Sequence, residues 1–486
     1  MTLLLVNPPC LRRGRQGSFF TDQKRNLAPS QYYSMPMEHL GIMSIAAFAR
    51  SRDVEIACVN GMVSGHASVE ETWQAMVEAA RRHGTPTLVG FSNIDTLHEV
   101  VWLAERSRRH WEGVPVVLGN TMATLNHERI LRTHDCIDYV VVGDGEHAFV
   151  QLGEAIACGG GAEQAPSLAW RDGQGAVHAN PPHMVDIDAL PPPARDELPV
   201  VLAEGFAGAV YTTRGCPYRC TFCGTGAVSG LLGRDSYRVR AVDNVVDEIE
   251  YLVRDFEIEF ISITDDLFVS KHPSMLDRAA RFGDEILRRG LDIRFMFDAR
   301  LDSIDDLDLY THLHRAGLRR VFIGLETGSY DQLLAYRKRL LRPGEDATTR
   351  IAALQDRGIE IIPGTIMFHP TVQPDELRAT ARLLRAIDYK TPRKFMDRIT
   401  AYPGTPLHSD YAARGLLTSE WPVGSWQFAD PEAQRVYDEV VHRIDNDPEI
   451  IFDEAETFFL DRVGEWEAVI AARSGAPDRA AREVSV

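Results

Sequence analysis

Three cysteines, Cys216, Cys220 and Cys223, lie within eight residues of one another, and no cysteine follows them. The segment reads Thr213-Arg214-Gly215-Cys216-Pro217-Tyr218-Arg219-Cys220-Thr221-Phe222-Cys223-Gly224 and directly follows a strand-like run, Ala209–Thr213. Whatever this chain folds into must bring three thiolates together on one tight loop at a strand's end. Thiolates are soft ligands suited to zinc or to iron–sulfur clusters. A closed zinc site needs a fourth Cys or His, usually from a second paired motif, and the next histidine is His272. Three thiolates alone suit a four-iron cluster with one iron left open to chelate another molecule. The other cysteines, Cys10, Cys58, Cys136 and Cys158, are scattered. They read as small buried hydrophobes, and an odd total in a long chain does not make a disulfide framework.

Around this motif the chain alternates strand and helix patterns in two series. In the first, strands Leu3–Val6, Val54–Val59, Thr87–Ser92, Val114–Leu118 and Asp138–Val142 are interleaved with helices Met37–Ala49, Val69–Arg82 and Leu97–Arg109. That alternation predicts a doubly wound α/β domain with a parallel sheet over 1–155. Ligands gather at the carboxyl ends of such strands, here Asn7-Pro8, Ser92, Gly119-Asn120 and Gly143-Asp144-Gly145-Glu146. Pro181-Pro182 and Pro191-Pro192-Pro193 predict an extended linker over 156–205. The second series has strands at Ala209–Thr213, Ile258–Thr264, Arg294–Asp298, Arg320–Leu325, Glu360–Met367 and Phe395–Ala401. Six units predict a partial parallel (β/α)6 barrel over 206–408, short of the eight of a closed one. Residues 409–474 turn helical and aromatic, with Trp421, Trp426, Phe428, Phe452, Phe458, Phe459 and Trp466; they form either a lid over the barrel or a packed cap. The tail 475–486 is small, polar and charged, and is expected to be disordered.

Acidic residues number 70 against 52 basic, a net charge of -18. A nucleic-acid partner would need a concentrated basic face, so none is expected; a small cationic substrate would suit the charge. No apolar run reaches the roughly 18 residues of a membrane span, and the N-terminus lacks a signal-peptide pattern. The expectation is a cytoplasmic enzyme with no membrane partner.

The cysteine spacing, Phe222 before the third cysteine and the position after a strand resemble the signature of the radical S-adenosylmethionine (SAM) superfamily. The resemblance implies that the cysteines hold a 4Fe–4S cluster whose open iron binds the amino and carboxylate groups of SAM. One electron from the cluster then splits a carbon–sulfur bond, and the 5′-deoxyadenosyl radical abstracts hydrogen from an unactivated carbon. Electrons would come from a flavodoxin- or ferredoxin-type reducing system. Ile263-Thr264-Asp265-Asp266-Leu267-Phe268 resembles the family's second-strand end, which implies a carboxylate of Asp265 or Asp266 near the ammonium of SAM, one of the two serving as a helix cap. By the same resemblance Arg300 meets the methionine carboxylate and Glu326 the ribose hydroxyls, unless the two serve in structural ion pairs. Tyr402-Pro403-Gly404-Thr405-Pro406 matches a structural turn. Where the family has a Pro-Gly-Glu-Thr pattern, this chain reads Phe368-His369-Pro370-Thr371-Val372; His369, together with Asp397, is a candidate for facing substrate.

The first domain resembles the cobalamin-binding domain that precedes many such barrels. The matching elements are Val6-Asn7-Pro8-Pro9, Gly90-Phe91-Ser92, Gly119-Asn120 and Gly143-Asp144-Gly145-Glu146. There is no D-x-H-x-x-G to offer cobalt a histidine, and Asn120 stands where the family has a second glycine. Its side chain is expected to intrude on a corrin, and the long basic loop Leu11–Tyr33 to fill the cleft. Two branches follow. In one the domain holds cobalamin and the enzyme methylates an unreactive carbon. In the other the domain is a retained scaffold, and the radical alone dehydrates a polar, cationic, sugar-like intermediate, as in the radical diol dehydratases (lyases) of aminoglycoside antibiotic biosynthesis. A separate reductase would then take the carbonyl product. Asn120, the acidic charge and the lack of cysteines for auxiliary clusters favour the second branch, with methylation the alternative. An iron–sulfur electron-transfer or sensor protein would not require Asp265, Arg300 and Glu326 on successive strand ends.

Overall fold

Leu3-Leu4-Leu5-Val6 is apolar at every position because β1 is covered on both faces, as strands of a parallel sheet are. The structure is a computed structural model and describes residues 1–9, 38–92, 96–341, 345 and 347–474. The expectations for Leu11–Tyr33 and for the tail 475–486 fall outside these residues.

The first unit runs β1 (Thr2–Asn7), α1 (Leu40–Arg50), β2 (Glu55–Asn60), α2 (Val69–His83), β3 (Leu88–Ser92), α3 (Leu97–His110), β4 (Val116–Gly119), α4 (Thr121–Thr133), β5 (Tyr139–Val141) and α5 (Glu146–Ala157). Five parallel strands stand in the order β2-β1-β3-β4-β5. The strand order reverses between β1 and β3, so the ligand crevice of this topology lies at their carboxyl ends, beside Asn7 and Ser92.

The segment 156–205, expected as a linker, adds two antiparallel strands, β6 (Leu168–Arg171) and β7 (Val177–Ala179), to the edge of this sheet, and then α6 (Leu198–Ala203). The proline runs that suggested an extended linker come only after this hairpin. Val185 and Ile187 pack with Leu40, Ala209 and Tyr211, so the segment seals one unit against the other.

The second unit runs β8 (Gly208–Val210), β9 (Thr213–Arg214), α7 (Gly224–Leu232), β10 (Arg238–Val239), α8 (Val242–Phe256), β11 (Phe260–Ile263), α9 (Pro273–Arg289), β12 (Arg294–Ala299), α10 (Leu307–Arg315), β13 (Leu318–Glu326), α11 (Tyr330–Ala335), α12 (Ala347–Gln355), β14 (Glu360–Thr365) and α13 (Pro374–Ala386). Five parallel strands stand in the order β8-β11-β12-β13-β14, with helices such as α8 burying one apolar stripe against them. The sixth strand expected over Phe395–Ala401 is reduced to one parallel bridge, Phe368 to Arg398, after a 3-10 turn at Pro392–Met396. The Phe368 N–H donates to the Asp397 carbonyl (2.9 Å) and the Ile399 N–H to the Phe368 carbonyl (3.0 Å). The barrel is therefore partial, with its sixth position only sketched.

Beyond it lie α14 (Pro406–Ala413), the hairpin β15 (Leu417–Ser419) and β16 (Ser425–Trp426), α15 (Pro431–Asp445) and α16 (Phe452–Ser474). Most of the aromatic residues here build a core against the barrel: Phe459 stacks on Phe395 at 4.9 Å, and Trp466 is fully buried. This is a packed cap. Trp421 instead meets Arg129 of the first unit (4.8 Å). Among the described residues no helix is long and apolar enough to cross a membrane.

Candidate active site

The cysteine loop leaves β9 through Gly215, at φ +76, where a Cβ would lie 2.4 Å from the Ser236 carbonyl oxygen. Only glycine turns the chain there. Arg219 then ties the loop to itself, donating to the carbonyls of Cys216 (3.0 Å), Tyr218 (3.2 Å) and Ser229 (2.9 Å). The Thr221 N–H donates to the Tyr336 carbonyl (3.1 Å), and its carbonyl accepts from the Leu407 N–H (2.9 Å), pinning the loop between barrel and cap. Phe222 meets Tyr336 edge-on at 5.1 Å, so its ring anchors the loop in the cap's core.

Burial pushes all three thiols up, Cys216 to about 12. They ionise when a metal takes the place of the proton. Among the described residues no three His, Cys, Asp or Glu side chains converge closely enough to hold a single metal ion.

The charged residues expected around the cysteines divide into two groups. Asp266 lines the open space above the loop and accepts from the Thr225 hydroxyl (2.7 Å). Asp265 turns into the barrel: it accepts from the amides of Thr212 (2.6 Å) and Thr213 (2.8 Å) and from the Thr212 hydroxyl, and faces Arg278 at 3.8 Å. Its role is to hold the end of β8 against the end of β11. Arg300 is stacked 3.8 Å from the Tyr218 ring and paired with Asp302 at 3.2 Å, so the structural ion pair is what forms there. Glu326 closes β13 in the left-handed region (φ 63), a conformation costing roughly 1–3 kcal/mol for a non-glycine residue, and is paired with Lys338. Lys338, which the motifs did not single out, also acts electrostatically on Cys220 and Cys223. His369 is buried with Glu376 3.3 Å away at the start of α13. Asp397 accepts from the Thr365 hydroxyl (3.1 Å) and Lys394 (3.0 Å). The structure thus gives both substrate candidates local partners.

A cleft of about 670 Å³ is lined by the carboxyl ends of the first sheet and by Gly215 and Thr225, which flank the cysteines, a volume in the range of cofactor pockets. Asn7, Asn60, Ser92 and Asn120 form one wall, Gly215, Thr225, Thr264 and Asp266 the other. An apolar arm reaches between the sheet and its helices, past Leu5, Ile42, Ile45, Val117 and Phe149.

Hydrogen-bond accounting fixes the groups on the first wall. The Ile42 amide donates to His39 Nδ1 (3.2 Å), so that nitrogen carries no proton, and Nε2 must donate to Ser92 Oγ (2.9 Å). Burial pushes His39 down to about 4, which keeps it neutral. The Thr121 amide donates to Asn120 Oδ1 (2.6 Å), which orients the amide so that Nδ2 donates to the same Ser92 Oγ (2.8 Å). Ser92 thus receives two donors and has its own proton left for an acceptor in the cleft. At φ 82 Asn120 caps α4, and its side chain, tied to Thr121 and Ser92, stands in the wall of the cleft. These residues fit a large, amide-bearing ring cofactor with an apolar appendage. They offer it a hydroxyl donor, and His39 has no free nitrogen to give to a metal.

The family description "Radical SAM superfamily" matches residues 210–384, and "B12 binding domain" matches 33–153. An uncharacterised methyltransferase of Pyrococcus horikoshii is 26% identical over 343 residues, 69% of this chain and 72% of that protein. The hopanoid C-3 methylase of Methylococcus capsulatus is 24% identical over 409 residues, 81% and 72% respectively. Among solved structures, the cobalamin-dependent SAM radical enzyme OxsB, with aqua-cobalamin and SAM bound, aligns with a TM-score of 0.70 at 18% identity, over 92% of this chain and 67% of that one; at that identity the likeness is one of fold. The chain belongs to the radical SAM superfamily, in the subgroup with a B12-binding domain ahead of the radical SAM domain, and its cofactors include a 4Fe–4S cluster and SAM.

Proposed function

We propose that the protein is a cobalamin-dependent radical SAM methyltransferase that adds a methyl group to an unactivated carbon of a small molecule. The observation that carries this reading is the cleft between the ends of β1, β3 and β4 and the residues that flank the cysteines, Gly215 and Thr225. Such a space suits the carrier that methylation needs between two uses of SAM. The dehydration reading leaned in part on Asn120 intruding on a corrin; its amide is held against the cleft wall by Thr121 and Ser92. The two methyltransferase-type relatives point the same way.

When bound, cobalamin would supply a methyl carrier able to meet a carbon radical. The remaining tasks fall to this chain. Cys216, Cys220 and Cys223 hold the cluster. Lys338 and Glu326 flank it with opposite charges suited to the zwitterionic end of SAM, and Asp266 lines the passage between the cluster and the cleft. Ser92, positioned by His39 and Asn120, would offer its proton to the cofactor. Net, the substrate's C–H, two SAM and two electrons from an external reducing protein give the methylated product, S-adenosylhomocysteine, methionine and 5′-deoxyadenosine. The second SAM leaves its methyl group on the product, and the substrate hydrogen ends on 5′-deoxyadenosine.

The test needs no substrate. Protein reconstituted with iron, sulfide and hydroxocobalamin should retain the corrinoid through gel filtration and, once reduced, convert SAM to S-adenosylhomocysteine. Failure to retain cobalamin, or 5′-deoxyadenosine as the sole SAM-derived nucleoside, would restore the cobalamin-free reading.

A further inference from the structure

The route from the first sheet to the cysteines crosses a seam of opposite charges that the reaction above does not use. Arg214, two residues before Cys216, reaches back to the first unit. Its guanidinium donates to both carboxylate oxygens of Glu146 (3.1 and 2.5 Å), to Asp144 (3.3 Å) and to the Ser44 hydroxyl (3.1 Å). Ser44 in turn donates to Glu146 (2.7 Å). Arg238, the register partner of Arg214 across the β9–β10 ladder, holds the same Asp144.

Two features set this seam apart from an ordinary ion pair. First, only Gly215 separates Arg214 from Cys216, and it packs so closely on Ser236 that a Cβ would lie 2.4 Å from that carbonyl oxygen. The arginine's anchor point is therefore a single residue from that of the first cysteine. Second, Asp144, Glu146, Arg214 and Arg238 all line the cleft. The same four groups therefore bound both the corrinoid's space and the approach to the cluster. Buried ion networks add little net stability over apolar packing of equal volume, because desolvation offsets the attraction. A bidentate arginine–carboxylate pair does supply one defined geometry.

We propose that Arg214 is a positioning residue: clamped by Glu146 and Asp144, it sets the separation and tilt between the cluster and the corrinoid, and so the share of SAM used for methyl transfer rather than for abortive cleavage. The inference rests on the cobalamin-dependent reading above. Asp144 and Glu146, at a strand end where ligands gather, are engaged by these two arginines.

The test compares the full-length, cluster-loaded, cobalamin-loaded wild type with Arg214→Gln and Arg214→Lys. Pulsed EPR reads the dipolar coupling between the reduced cluster and cob(II)alamin, iron analysis reads cluster content, and chromatography reads S-adenosylhomocysteine against 5′-deoxyadenosine. Both variants should keep their iron and cobalamin. The coupling should be narrowly distributed in the wild type, broad in Arg214→Gln and intermediate in Arg214→Lys. The nucleoside ratio should fall roughly tenfold in Arg214→Gln, the scale of a sub-ångström misplacement, with partial recovery in Arg214→Lys. A wild-type coupling in Arg214→Gln overturns the proposal; should that variant not fold, a wild-type coupling in Arg214→Lys does the same. Loss of iron from both variants makes Arg214 a folding residue and also overturns it. A wild type that takes up no cobalamin overturns the parent reading and this inference with it, a failure visible before any variant is made.

Discussion

The barrel beside the cysteine loop and the carboxyl edge of the first sheet hold their buried polar groups differently. At the barrel end, buried charges meet opposite charges: Asp265 faces Arg278 (3.8 Å), Arg300 faces Asp302 (3.2 Å) and Glu326 faces Lys338. At the sheet end, neutral groups beside Ser92 are linked by hydrogen bonds, Asn7 to Asn60 (2.9 Å), His39 to Ser92 (2.9 Å) and Asn120 to Ser92 (2.8 Å), with the buried Glu197 behind them accepting from Asn60 (2.9 Å). Under the proposed function, the difference follows the chemistry each end would receive. A zwitterionic cosubstrate beside a cluster calls for charges already balanced in its absence. A large neutral ring with amide arms calls for oriented donors and acceptors, because a free charge beneath it would lose its solvation with nothing to replace it.

If that contrast is right, damage at the barrel end should be the more costly. Asp265→Ala leaves Arg278 without its carboxylate and two backbone amides without an acceptor, which should destabilise the protein by about 3–5 kcal/mol in urea or thermal unfolding. Asp265→Asn keeps an acceptor oxygen and should lose clearly less. A loss from Asp265→Ala no larger than that of a surface substitution would remove charge as the organising principle of the barrel end. Next in size, Lys338→Ala should weaken SAM binding to the cluster-loaded protein by about 1.5–3 kcal/mol, the worth of a hydrogen bond to a charged group, or roughly 10–100-fold in Kd. Calorimetry with reconstituted protein measures it. An unchanged Kd would return the carboxylate-binding role to Arg300, despite its engagement with Asp302.

These two positions also mark where the sequence could and could not be read. The cysteines, Asp265 and Glu326 are legible because each sits at a fixed place on a strand end, and strand ends are set by local pattern. Lys338 is not: it follows the short helix α11 and reaches Glu326 only because the chain folds back on β13. The pairing of Arg214 with Glu146 spans 68 residues and two units, a separation at which no local pattern operates. The β6–β7 hairpin carried a readable signal, Asp172-Gly173 between two short strand-like runs, which the neighbouring prolines outweighed. The environment of Asn120 depended on knowing that its amide would find Thr121 and Ser92, a matter of geometry rather than of residue type.

At the sheet end, His39 offers a prediction in pH. Its folded value of about 4 lies below its ordinary 6.5. Between those values the unfolded chain takes up a proton that the folded one refuses, so stability falls as pH drops through that window and is unaffected above it. The size is of order 3 kcal/mol by pH 4. Glu38, which burial raises to about 7, and Glu197, also raised, work in the opposite sense. The clean measurement is therefore the difference in unfolding free energy between wild type and His39→Gln, in which their contributions cancel. That difference should shift in favour of the variant as pH falls from 6.5 towards 4; a pH-independent difference would mean His39 is protonated in place, and the neutral character of the sheet end would be lost.

The smallest expected effect is the most direct test of the contrast. Ser92 has one proton to give and two donors already aimed at its oxygen, so its contribution to a bound cofactor is a single neutral hydrogen bond, worth about 1 kcal/mol, or roughly fivefold in the Kd for cobalamin. Ser92→Ala removes that bond but also strands His39 Nε2 and Asn120 Nδ2, so folding stability must be measured separately on the cobalamin-free protein. Ser92→Thr keeps the hydroxyl and should bind cobalamin nearly as the wild type does, provided the added methyl group fits beside Asn120. Equal affinity in the alanine and wild-type proteins would mean that the proton points at nothing in the occupant, and the sheet end would then differ from the barrel end only in how it holds itself together.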